Sequence, residues 1–233
     1  MPILAGADGC PGGWICVTLD TLMNRTGHAR YGDAASLMLQ SPRPLVLTID
    51  IPIGLSDAGP RACDTAARAL LGAPRCRSVF PSPIRPAIRA PDRLKASAIT
   101  KGADGRLVGV QSWAIYPKIR EVDAAISPSI QQWCVEVHPE VCFRAWNGNM
   151  AMPYSKKTSQ GRAAREALIT GTFGATARAE VRTAYARGLV SDDDINDAFA
   201  ALWTARRIAA GTAVTIPPVP PLDAAGLRME MRY

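Results

Sequence analysis

The stretch Leu45 to Leu55, LVLTIDIPIGL, constrains the fold more than any other part of the chain. Leu45 to Ile49 is apolar apart from Thr48 and shows no alternation, and Pro52 and Gly54 close the run. Such a run reads as a short strand buried on both faces, the kind found in parallel or mixed sheets covered by helices. Proline cannot donate to a ladder, so the strand must end near Asp50. That leaves a carboxylate at the carboxyl edge of a central strand, where open α/β sheets bind ligands. The same acid could equally cap the helix that follows or accept a backbone N–H.

A chain of 233 residues suits one large domain with room for an insertion. Its composition, 48% hydrophobic and 20% charged, is that of an ordinary globular protein. No apolar run reaches the roughly 18 residues of a membrane span, so no membrane partner is expected. The opening MPILAGADGCPGGW lacks a basic start and does not read as a signal peptide. The six cysteines form no C-x-x-C pair, which argues against structural zinc and for reduced, mostly buried thiols in a cytoplasmic protein. The net charge of +7 comes from the middle: residues 61–120 hold twelve Lys or Arg against three Asp. A basic segment suits a phosphate-rich partner such as nucleic acid, or is simply a solvated helical surface.

Along the chain, Leu4 to Asp8, Trp14 to Leu19 and Ala29 to Tyr31 read as strands, the first two joined by the tight turn GCPGG. Ala34 to Leu39 reads as a helix capped by Asp33. Residues 58–128 read as a basic helical insertion, with helices in GPRACDTAARALLG, around 92–103 and around 110–125, interrupted by the Pro-rich APRCRSVFPSPIRPAIRAP. Trp133 to Val137 is a second candidate buried strand. Helices follow around 139–146, 161–170, 175–187 and 192–210. The closing LRMEMRY alternates with period two, the pattern of a half-exposed final strand.

Several residues could carry chemistry. In SDDDINDAFAALW, Ser191 and Asp194 form a capping-box pattern, and Asp192 and Asp193 suit the helix dipole. Asp197 lies beyond the first turn and borders an apolar face, where an acid is costly unless paired or bound to metal. Asp8 ends the first strand between Gly6 and Gly9, whose lack of side chains allows a ligand or another backbone to approach. Glu136 sits inside the second buried strand and needs a partner, and His138 could serve as a base or a substrate contact. Lys156, Lys157 and Arg162 cluster at a helix start, which suits an anion. Arg75 and Arg77 are the basic candidates of the middle segment. Asp8, Asp50 and Asp197 together suit divalent cations held through carboxylate oxygens, Mg²⁺ or Mn²⁺, with phosphate as substrate. The P-loop, dinucleotide and nucleophile-elbow patterns are missing, so nucleotide-dependent and serine-hydrolase readings lose weight.

The motifs GADGCPGGW, DIPIGL followed by R-x-C-D, SVFPSPIR, EVHPEVCFRAWNG, SKKT-x-x-GR, and DAFAALWTA ahead of GLRMEMRY resemble domain-of-unknown-function family 429 (DUF429), whose members are labelled predicted RNase H-like nucleases. The resemblance covers nearly the full chain. It implies an α/β fold with an RNase H-like core, a five-stranded mixed sheet flanked by helices, with inserted helices. It further implies metal held by acids of the first strand, a central strand and the last core helix, here Asp8, Asp50 and the pair Asp194 and Asp197, with Glu136 an added catalytic candidate. The expected function is metal-dependent hydrolysis of nucleic acid. A non-catalytic nucleic-acid- or protein-binding module and a small-molecule phosphotransfer enzyme are the alternatives on the same core.

Overall fold

The computed structural model describes residues 2–233. Its centre is a five-stranded sheet in the order β3-β2-β1-β4-β5. Strands β1 (Ile3–Cys10), β2 (Gly13–Asp20) and β3 (Arg25–Tyr31) form an antiparallel meander. Strands β4 (Val46–Ile49) and β5 (Cys134–Glu136) run parallel to β1. The GCPGG turn is a two-residue hairpin connection, Pro11-Gly12, with Gly12 at a positive φ of 64°. The third strand is longer than the expected Ala29 to Tyr31, because β2 pairs with it along its whole length from Asp20 to Trp14.

Between β3 and β4 lies α1 (Ala34–Met38), capped by the Asp33 carboxylate on the Ser36 N–H at 2.7 Å. Between β4 and β5 the chain leaves the sheet for α2 (Ala62–Leu71), α3 (Arg93–Asp104), α4 (Val110–Ala114) and α5 (Tyr116–Ala125). The helix expected over 110–125 is thus two helices. They part at Ile115, one residue before the Tyr116-Pro117 start of α5, where a proline suits the first turn but not a helix interior. After β5 come α6 (Pro139–Trp146), α7 (Ser159–Phe173), α8 (Ala177–Ala184) and α9 (Asp192–Ala209). The expected final strand shrinks to β7 (Met231–Arg232), paired with β6 (Thr215–Ile216) in a separate two-stranded ribbon.

Two apolar layers flank the sheet. Ala5, Ala7, Leu47, Ile49 and Cys134 pack with α1 and α5 on one face. Leu4, Ile15, Val17 and Val46 pack with α8 and α9 on the other. Strand side chains alternate, so Leu4, Gly6 and Asp8 share the α9 face of β1, and Val46, Thr48 and Asp50 share it on the β4 side. Gly6 decides how close α9 comes: a Cβ there would lie 2.0 Å from the Leu202 nitrogen and 2.5 Å from the Ala198 carbonyl oxygen. The one polar residue of the buried strand, Thr48, donates its hydroxyl to Ala201 O at 2.7 Å and so ties β4 to the same helix. No helix among the described residues is long and apolar enough to cross a membrane.

Both atoms that a Cβ at Gly6 would meet are backbone, so the helix must shift to admit a methyl group. Gly6→Ala is expected to cost about 1–3 kcal/mol or more, read as a lower urea midpoint. An unchanged midpoint would mean that α9 does not rest on β1 in this way.

Candidate active site

The register of β1 and β4 runs through Ala7 opposite Ile49, and the Asp50 N–H donates to Ala7 O at 3.1 Å. Asp8 and Asp50 therefore stand one step beyond, side by side on neighbouring strands, which lie about 4.8 Å apart. Asp197 comes down from the second turn of α9 on the same face. The three acids feel one another. Burial, then the charges of Asp50, Asp197 and Asp194, pushes the Asp8 carboxyl well above the ordinary carboxylate range, with Lys156 opposing. Burial and Asp197 push Asp50 up to about 7, again against Lys156.

The Lys156 ammonium is held 2.5 Å from Asp197 Oδ2, and the buried Asp197 Oδ1 has no partner. The loop carrying Lys156 is fixed by Gly161, where a Cβ would lie 1.9 Å from Ser155 O, and by the Thr158 hydroxyl capping the Gly161 N–H at 3.1 Å. Asp8, Asp50 and Lys156 line a cleft of about 580 Å³, together with His138, Glu140 and Arg75. His138 Nε2 lies 3.3 Å from Ser78 O. A carbonyl only accepts, so Nε2 carries the proton and Nδ1, which has no partner, keeps its lone pair. Burial lowers the His138 pKa and keeps the ring neutral.

The other sequence candidates have different positions. Asp194 accepts from the Ser191 N–H at 2.8 Å in a complete capping box; it reaches Asp8 through its charge. Glu136 pairs in register with Ile49, which puts it on the opposite sheet face from Asp50. Its oxygens take two hydrogen bonds from Arg61, at 2.6 and 2.7 Å, and one from the Ile53 N–H at 2.6 Å. The structure thus gives Glu136 a partner, and Arg61, Asp64 and Glu136 line the same cleft as Asp8 and Asp50. Lys157, expected to bind substrate, pairs with Asp193 at 2.6 Å. Arg162 donates to Lys157 O at 2.9 Å, which steadies the same loop. Arg77 is exposed, and Arg75 donates to the carbonyls of Met152 and Pro153 at the cleft wall. Much of the remaining basic middle is spent internally: Arg85 pairs with Asp123 and Asp223, Arg93 bonds Val108 O, and Arg120 bonds Ile88 O and Ala90 O.

Four residues that matter, Arg61, Cys63 and Asp64 of the R-x-C-D motif and Glu140 of EVHPEVCFRAWNG, were given no role from the sequence. Arg61 is fully buried between Asp64 and Glu136, 2.6 Å from each, and also holds the carbonyls of Ile53 and Gly54. Although burial opposes its charge, Asp64 and Glu136 raise its pKa and keep it protonated. Glu140 gives one oxygen to the buried Arg165 and leaves the other unpartnered, while its charge raises Asp50. In the sequence it reads only as a first-turn acid behind Pro139, suited to the helix dipole. Cys63, Asp64 and Glu136 bring ligand atoms within 4.8 Å of one another, a grouping that could hold a metal ion. There the Arg61 guanidinium already supplies the positive charge, and burial pushes the Cys63 thiol up, away from the thiolate that a metal needs. The oxygens of Asp8, Asp50 and Asp197 do not come within that distance of one another, and these acids act on each other through charge.

A mixed sheet in this order, flanked by helices, is consistent with an RNase H-like core. The chain belongs to the family described as "Protein of unknown function (DUF429)", whose family model matches residues 6–222. No curated protein and no solved structure matches it.

Arg61→Leu would leave two buried carboxylates without their cation and is expected to cost about 3–5 kcal/mol by urea denaturation; a loss under about 1 kcal/mol would mean that water replaces the guanidinium. Asp50 gives a pH test. Its folded pKa of about 7 lies above the ordinary 3.8 of an unfolded chain, so its contribution is fully present below 3.8 and is lost as pH rises through 7. In metal-free buffer the melting temperature of Asp50→Asn relative to the parent should therefore climb between about pH 4 and pH 8. A gap independent of pH would show that burial and the neighbouring charge of Asp197 do not raise Asp50.

Proposed function

We propose that the chain is a metal-dependent phosphodiesterase acting on nucleic acid. The observation that carries this reading is the buried Asp197 oxygen left without a partner beside two carboxylates that the fold forces close together. Unpaired oxygens and raised carboxyl pKa values are what a site for a hard divalent cation looks like before the cation's charge is counted. Asp8, Asp50 and Asp197 would hold Mg²⁺ or Mn²⁺. Such an ion supplies a more acidic bound water and charge neutralisation at a phosphodiester oxygen.

The residues of the chain supply the rest. Lys156 keeps one oxygen of Asp197 oriented. His138 stands at the cleft wall, its unprotonated Nδ1 buried and without a partner. Arg75, Lys118 and Lys157 line the same cleft and suit the phosphates of a polyanionic substrate. The six free cysteines, five of them buried, suit a cytoplasmic setting in which thiols stay reduced.

A second reading, a non-catalytic binding module, draws on the Lys156–Asp197 pair, since an internal cation partly quiets the acid cluster. The phosphotransfer reading has less support, because GCPGG closes a hairpin in which Arg30 takes the Pro11 carbonyl at 2.5 Å instead of leaving the turn open for phosphate.

The test is a hydrolysis screen on single-stranded, hybrid and branched nucleic acid with Mn²⁺ or Mg²⁺, alongside an ATPase assay. Metal is expected to support cleavage and to raise the melting temperature, and Asp8→Asn and Asp50→Asn to abolish both effects. Binding of nucleic acid without cleavage, unchanged in the Asn variants, would favour the binding module. No metal response of any kind would remove the nuclease reading.

A further inference from the structure

A second cavity of about 580 Å³ adjoins the cleft, built entirely from the insertion. Phe80 and Ser82 belong to the walls of both, so the segment 80–83 is a partition between them. Pro81 and Pro83 stiffen that segment by fixing φ. It is also tied down: the Ser82 N–H donates to Asp64 Oδ2 at 3.3 Å, the Arg68 guanidinium donates to the Val79 carbonyl at 2.6 Å, and Ile84 is fully buried. Val108, elsewhere in the wall, is fixed as well, its N–H donating to the Ser97 hydroxyl at 3.0 Å and its carbonyl accepting from Arg93 at 3.1 Å. Largely pre-formed pockets of this size are where small ligands bind.

The two spaces differ in charge. The cleft is lined by Asp8, Asp50, Arg75 and Lys118 among others. The second cavity has one charged residue in its lining, Arg106, whose guanidinium is taken by Asp104 at 2.6 Å. The rest is mostly apolar, with the rings of Phe80 and Tyr116, and with Leu107 and Val110 left exposed. One polar group there has nothing to bond: the hydroxyl of Ser82, a residue only 7% exposed, is without a partner. Such a buried group costs free energy that a ligand's hydrogen bond would recover. A ligand that suits both spaces has a flat, neutral ring with a polar edge, joined to a phosphate. That describes a nucleotide whose base is unpaired, since a base in a duplex reaches a pocket only by being flipped out of its stack.

Resting on the nucleic-acid reading above, we infer that the second cavity is a base subsite that selects single-stranded substrate. One unpaired base enters it, stacks on Phe80 and takes the Ser82 hydroxyl at its polar edge. The phosphate attached to that base lies across the partition, in the cleft that Arg75 and Lys118 line. Stacking on an aromatic ring tolerates every base, because each has a π-face. The subsite therefore reads the absence of pairing, with little regard to sequence.

The test is fluorescence anisotropy with a short dye-labelled single strand of DNA, the same strand carrying abasic sites, and the matching duplex, each measured with Ca²⁺ and with a chelator. The parent is expected to hold the single strand more tightly than either of the other two. Phe80→Ala is expected to weaken the single strand by about tenfold, the worth of one stacked base, and to leave the abasic strand and the duplex as they were. Ser82→Ala is expected to weaken the single strand several-fold. Phe80→Tyr, which keeps the ring, is expected to bind like the parent. Thermal melting checks that each variant is folded, with Phe80→Leu replacing the Ala form if that one is not. Equal losses on all three probes, or no loss in the Phe80 variant, would overturn the subsite and leave the nuclease reading standing. Base-dependent binding without hydrolysis would support the subsite and remove only the hydrolytic reading. A parent that binds none of the three probes would overturn the nucleic-acid reading, and this inference with it.

Discussion

The contact on which the site depends is a helix laid against a strand with no side chain between them. Gly6 gives α9 room to touch β1, and Thr48 on the adjacent strand fastens to the same helix through Ala201 O. Ala198, Ala201 and Ala205 keep the helix surface small where it meets the sheet. Close packing of this kind tolerates little slack. An acid one turn from the N-terminus of α9 is therefore held over the ends of β1 and β4 within a narrow range. Strand register sets Asp8 beside Asp50, and Lys156 offsets only part of the repulsion among the acids.

Much of this was legible in the sequence, for reasons that differ from residue to residue. Asp8 and Asp50 follow short strands whose ends were marked by Gly9 and Pro52, and local chemistry decided them. Asp197 was visible because helix capping accounts for Asp192, Asp193 and Asp194 but not for an acid a turn further on. The alternation of LRMEMRY was seen, but not that only Met231 and Arg232 would find a strand partner. The sheet itself followed from the apolar run before Asp50, since a strand buried on both faces needs helices on both.

What sequence could not supply was register and return contacts. Glu136 looked like a companion of Asp50, yet pairing with Ile49 turns it to the other face, and pairing is a property of two distant segments. Arg61 opens α2 within the R-x-C-D motif, but its pairing was hidden because its partner Glu136 is 75 residues away. Lys156 and Lys157 read as an anion site at a helix start; that they also pair with α9, 41 and 36 residues further on, was hidden from the sequence. The arginines of the middle segment looked like a surface stripe, while several of them close carbonyls inside the insertion.

The Arg61–Glu136 pair has a consequence for how such a chain can diversify. It joins the residue where the long excursion between β4 and β5 departs to the strand where it returns. Both ends of that excursion are thus pinned at one buried point, where Arg61 and Glu136 border the same cleft as Asp8 and Asp50. The entropic cost of closing a loop grows only slowly with its length. Helices could be added to or trimmed from the excursion with little disturbance to the carboxylates. The insertion then behaves as an exchangeable module, free to change the shape of the cleft's outer wall while the edge with Asp8 and Asp50 stays as it is.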